Sequence, residues 1–95
     1  MTDFAANVHF RALAPLGVAG GYGWFLGRYA DWPAFEGEIK RHLPELGYYY
    51  VECLTLIELA SEDDLNDGEQ RELYRQLAVR PIQWGTLHTY QHDDA

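Results

Sequence analysis

The sequence predicts an α+β fold: one small domain with about four mostly antiparallel strands and two helices packed on one face of the sheet. Three observations lead there. Several stretches alternate or run apolar in the manner of strands. Two others repeat apolar residues at helical spacing behind an aspartate. Glycine, proline or acidic punctuation separates them, giving the order β-β-α-β-α-β. With 95 residues the chain has the length of a single domain, 1–95, and residues 92–95 read as a flexible polar tail.

Asn7 to Ala14 reads as the first strand, with Val8, Phe10 and Ala12 alternating with His9, Arg11 and Leu13. Pro15 and Gly17 end it. Gly20-Gly21 turns the chain into a second strand, Tyr22 to Tyr29, so the two form a hairpin. Asp31 is a good N-cap for the first helix. Pro33 lies in its first turn, and Trp32, Phe35, Ile39 and Leu43 fall at helical spacing. Glu36–Lys40 and Glu38–Arg41 neutralise one another along it, and Pro44 and Gly47 close the segment.

Tyr48 to Leu59 is the most apolar run. One alternate row, Tyr49, Val51, Cys53, Thr55, Ile57 and Leu59, lacks charge; the other carries Glu52 and Glu58. This predicts a long central strand, covered on one face and partly on the other. Ser61 to Asp64 reads as a one-turn helix start. Asn66 or Asp67 then caps a second helix reaching to about Val79, with Leu73, Leu77 and Ala78 inward and Tyr74 beside them. Arg80-Pro81 stops it, and Ile82 to Gln91 is the last strand.

Composition excludes several function classes. Hydrophobic residues are 47% and aromatics 15%, too many for a disordered chain. The net charge of −8 argues against direct nucleic-acid binding, which needs clustered Lys and Arg. A single cysteine leaves no internal disulfide and no thiolate zinc cluster. Met1-Thr2-Asp3-Phe4 has no basic leader region. The nearly uncharged stretch Ala12–Gly27 is too short and too glycine-rich to span a membrane as a helix. A cytoplasmic protein without membrane contact is expected.

No residue pattern fixes a reaction, and neither a catalytic residue nor a cofactor or metal site is expected. Gly21, Gly23 and Gly27 have the wrong spacing for a dinucleotide fingerprint and open a strand, not a helix. Ser61, the only serine, suits a cap. Glu52 and Glu58 lie roughly 20 Å apart on a strand, too far for a glycosidase pair. His88 and His92 are about 13 Å apart on a strand, too far to share a metal. His9 and His42 show no partner in sequence. Cys53 reads as a buried, inert thiol.

The unusual feature is the distribution of charge. Residues 1–47 carry five acids and four bases; residues 48–95 carry ten acids and three bases. Eight acids lie between Glu52 and Glu72, with Arg71 the only base. Asp67 can pair with Arg71, whereas Glu58, Glu62, Asp63, Asp64 and Glu69 have no basic neighbour in sequence. Such a patch is either a solvated surface or a docking surface for a basic partner. The second reading predicts a non-enzymatic interaction protein that inhibits a nuclease or nucleic-acid-binding complex. By analogy of size and charge alone, immunity proteins and phage-encoded inhibitors of host defence, anti-CRISPR proteins among them, act in this way. Glu58, Glu62, Asp63, Asp64, Asp67 and Glu69 would supply charge, and Tyr48, Tyr50 and Tyr74 apolar anchors. Trp24, Trp32 and Trp84 are assigned to the core. Two alternatives remain: a small-molecule or enzymatic domain with an aromatic pocket containing His9, His88 and Tyr90, and a homodimer joined through a strand edge or aromatic surface.

Overall fold

A computed structural model describes residues 1–14 and 17–91. Phe4, Ala5, Ala6 and Val8 are all buried, so the start of the chain runs through the interior. It does so as strand β1 (Thr2–Ala12), which pairs antiparallel with β2 (Gly20–Tyr29) on one side and β3 (Tyr48–Leu59) on the other. Strand β4 (Ile82–Tyr90) pairs antiparallel with β2, giving the sheet order β3-β1-β2-β4. The α+β class and the order β-β-α-β-α-β are those the sequence predicts. The first strand starts earlier than predicted, at Thr2 and not Asn7. Phe4-Ala5-Ala6 does not alternate because both faces of a central strand are covered.

Helix α1 (Trp32–His42) begins where Asp31 Oδ1 accepts the amide of Ala34 at 3.0 Å. Phe35 and Ile39 are fully buried, as is Leu43 in the following 3-10 turn, Leu43–Leu46. That turn ends at Gly47, whose φ of 94° favours glycine. Phe35, Ile39 and Leu43 pack on Phe4, Ala6, Val8, Phe10, Phe25 and Ile82. The Phe35 ring rests on Gly27, where any Cβ would collide with it.

Helix α2 (Gly68–Gln76) starts from Asp67, whose Oδ1 accepts the amide of Gln70 at 3.0 Å. Leu77 just beyond it, with Leu73, Tyr74 and Leu65, packs on Ala5, Leu26 and Leu59. Consecutive residues of a strand point to opposite faces, so Phe4 and Ala5 separate the two helices. α1 covers one face and α2 the other, which corrects the expected packing of both on one face. Helices on one side would leave Ala5 and Leu26 in water. α2 is also shorter than predicted; it stops at Gln76, and Ala78 is exposed, not inward. The predicted one-turn element is a 3-10 turn, Glu62–Asp64, in which Ser61 and Asp64 form a reciprocal cap.

β3 is an edge strand, which corrects its expected central position. Two register shifts against β1 explain why its rows were misleading. The partner changes from Thr55 to Cys53 between Asn7 and Val8, and from Glu52 to Tyr50 between His9 and Phe10. Leu54 and Val51 are the extra, bulged residues. The α1 face therefore carries Tyr48, Tyr50, Cys53, Leu56 and Glu58. The α2 face carries Tyr49, Glu52, Thr55, Ile57 and Leu59. The longest stretch in unbroken register is Thr55–Leu59, opposite Asp3–Asn7.

Candidate protein-interaction surface

β3 exposes its apolar residues along most of its length. Tyr49, Val51, Leu54, Leu56 and Ile57 keep 38–46% of their surface in water. Among the described residues only β1 pairs with this strand, and its outer backbone edge has no strand partner. The opposite edge of the sheet is treated differently. There the Glu69 carboxylate accepts the Thr86 amide and the Thr86 hydroxyl, each at 2.8 Å, beside the irregularity between Gly23 and Phe25. Glu69 of α2 thus satisfies Thr86 at the irregular part of β4.

The acidic residues predicted to bind a partner have distinct local roles. Glu62 accepts from Arg75 Nε at 2.7 Å and from Arg71 Nε at 3.2 Å, and both guanidiniums hold its carboxyl below the usual range. Asp63 pairs with Arg71 at 3.3 Å, yet its side chain remains 89% exposed. Asp64 Oδ2 accepts the amides of Ala60 and Ser61. Asp67 caps α2 and leaves Arg71 to the other carboxylates. Glu69 is held by Thr86, whose amide and hydroxyl lower its pKa. Glu62 and Asp63, which have no basic neighbour in sequence, gain basic partners in the fold. The chain folds back after residue 64 and delivers Arg71 and Arg75 to them. Glu58 stands apart: exposed on β3, it makes no ion pair among the described residues, as does Glu52.

The three tyrosines chosen as anchors are committed inside the fold. Tyr48 packs on Phe10 with ring centres 4.4 Å apart. The Tyr50 hydroxyl donates to Glu36 at 2.7 Å while Lys40 lies over its ring; burial and then Glu36 push its pKa upward. The Tyr74 hydroxyl donates to Asp3 at 2.9 Å, and Asp3 also binds Arg28 at 2.7 Å. The exposed tyrosine rings are instead Tyr49 and Tyr22. Of Tyr48-Tyr49-Tyr50, the middle one is on the opposite face from the other two, a consequence of alternation that was available from sequence. Trp24, Trp32 and Trp84 border the core and are half-buried.

Beyond α2, the α2 face of the sheet is open. His9 and Tyr90 share a hydrogen bond of 2.8 Å, and His9 stacks on Tyr22 at 4.7 Å. Cross-strand pairing places His88 beside Tyr22 and Glu52 beside His9. The sheet therefore gathers His9, His88 and Tyr90, but in an open layer and not between sheet and helices as predicted. His42 has partners after all: Glu38 and Glu45 each approach within 3.6 Å.

No group of three or more metal-ligating side chains occurs among the described residues, and His92 lies outside them. Cys53 is half-buried, and burial raises its thiol pKa, which disfavours a nucleophilic thiolate. Among the described residues, no helix is long and apolar enough to cross a membrane. Compared with protein-family models, curated proteins and solved structures, the chain finds no match.

Proposed function

We propose that this chain is a non-enzymatic, cytoplasmic interaction module that binds and blocks a basic protein, in particular a nuclease or nucleic-acid-binding complex. The observation that carries the reading is the β3 edge. Five large apolar side chains lie exposed on one strand that also presents two carboxylates, Glu52 and Glu58, without an ion pair among the described residues. β3 then runs directly into the acidic segment Glu62–Asp64. Exposed apolar surface bordered by charge is the composition of a protein interface. The acidic field, from a net charge of −8, favours encounter with a basic surface.

The local roles of the carboxylates refine which ones face a partner. Asp64, Asp67 and Glu69 stabilise the fold. Glu58 and the largely exposed Asp63 remain available, with Glu62 adding charge through its shared arginines.

The test compares wild type with Glu58→Lys/Asp63→Lys. Proteins retained from a lysate are identified, purified and titrated directly at 50 and 300 mM salt. The reading predicts one basic protein whose affinity falls about tenfold in the variant. It also predicts weaker binding at high salt and loss of the partner's nuclease or nucleic-acid-binding activity in the complex. Equal retention by both proteins, insensitive to salt, would leave the acidic surface a solubility device.

A further inference from the structure

We infer that the partner contributes an extended segment that adds to the sheet beside β3, pairing along Thr55–Leu59, with basic and apolar side chains in alternation. This rests on the interaction reading above and specifies its mode and the chemistry of the bound segment.

Geometry selects the place. β3 is the outer strand on its side of the sheet, so its outward amides and carbonyls are open to another chain. The bulges at Val51 and Leu54 interrupt a regular ladder, whereas Thr55 to Leu59 match Asp3 to Asn7 without a break. An added strand finds its longest regular template there.

The side chains select the occupant. On the α1 face that stretch presents Leu56 and Glu58, and on the α2 face Thr55 and Ile57. Leu56 and Ile57 are exposed, and Glu58 has no cation of its own among the described residues. A strand alternates faces, so a lysine or arginine beside Glu58 places apolar residues beside Ile57. A second copy of this chain is a poorer occupant. It would bring its own β3 carboxylates and another net charge of −8 to the same edge. Glu52, Glu58 and the two bulges oppose self-pairing of this edge.

The probe is a capped hexapeptide of alternating lysine and valine, titrated into the full chain by NMR with amide exchange as a second readout. A glutamate–valine hexapeptide is the control. The expected result is saturable binding of the lysine peptide, with shifts and at least threefold slower exchange confined to the outward amides of 54–59. Binding weakens several-fold from 50 to 300 mM salt and in Glu58→Gln, a variant that removes charge without disturbing a packed residue. Leu56→Lys, also exposed, is expected to weaken it further. Equal binding of the glutamate peptide, shifts centred elsewhere, or no binding of the lysine peptide would overturn the inference. So would β3 protection that rises with protein concentration alone, which would identify a second copy as occupant. A captured basic partner that leaves β3 exchange unchanged would overturn strand addition and leave the interaction reading standing. Absence of any captured partner would remove that reading itself.

Discussion

Asp3 shows how one carboxylate ties three elements together. It accepts from Arg28 on β2 and from Tyr74 on α2 while sitting on β1. Arg28 lowers the Asp3 pKa most, with Tyr74 adding to it, against the opposing cost of burial. Its folded pKa lies below the unfolded one, so its stabilisation is present above about pH 4 and is lost as pH falls through the depressed value. Asp3→Asn is therefore expected to cost about 1–2 kcal/mol at pH 7. In urea denaturation at decreasing pH, the gap between wild type and variant should close below about pH 4. A gap independent of pH would assign Asp3 a packing role alone. At this scale the legible contacts were those within one turn: the caps by Asp31, Ser61 and Asp67 follow from local sequence. The pairing of Glu62 with Arg71 and Arg75 did not, because it depends on how the chain folds back between the 3-10 turn and α2.

The four strands, the two helices and the β1–β2 hairpin were visible in sequence, but the remaining strand pairings were not. Asp67 caps α2 through the amide of Gln70. Asp67→Ala should cost about 1 kcal/mol, read as a lower melting temperature. Unchanged stability would mean that tertiary packing alone sets the start of α2. Gly27 has a different importance: a methyl group there meets the Phe35 ring. Gly27→Ala should destabilise by about 1–3 kcal/mol, and Gly37→Ala, with open space at its Cβ, should not. Comparable losses at both positions would contradict the close packing of α1 on β2. β3 carries the plainest lesson. Its apolar run marks a strand, yet a strand buried at the centre of a sheet and one exposed for a partner have the same composition. Its two bulges further hide the alternation, moving Cys53 to the face opposite Thr55. The candidate surface was therefore legible as charge and only partly as place. Tyr48, Tyr50 and Tyr74 proved to be occupied, and Leu54, Leu56 and Ile57 were missed because apolar residues were assigned to the interior.

At the scale of the whole molecule, the fold is a four-stranded sheet with one helix on each face and two unlike edges. Glu69 of α2 bonds Thr86 on β4, while among the described residues no strand lies beyond β3. The surplus of acid in the second half of the chain is partly internal structure, through Asp64, Asp67 and Glu69, and partly an outward field. Screening by salt should affect only the second part. Thermal stability is therefore expected to change little from 50 to 300 mM salt, while partner affinity falls. A parallel loss of both would place the charges in folding, not recognition. The decisive measurement is hydrogen–deuterium exchange of the chain alone and in complex with the purified basic protein proposed as its partner. Protection concentrated at 54–59, with the β4 edge unchanged, is the predicted result. Protection confined to α2 or the open His9–Tyr22–Tyr90 layer would contradict docking at β3.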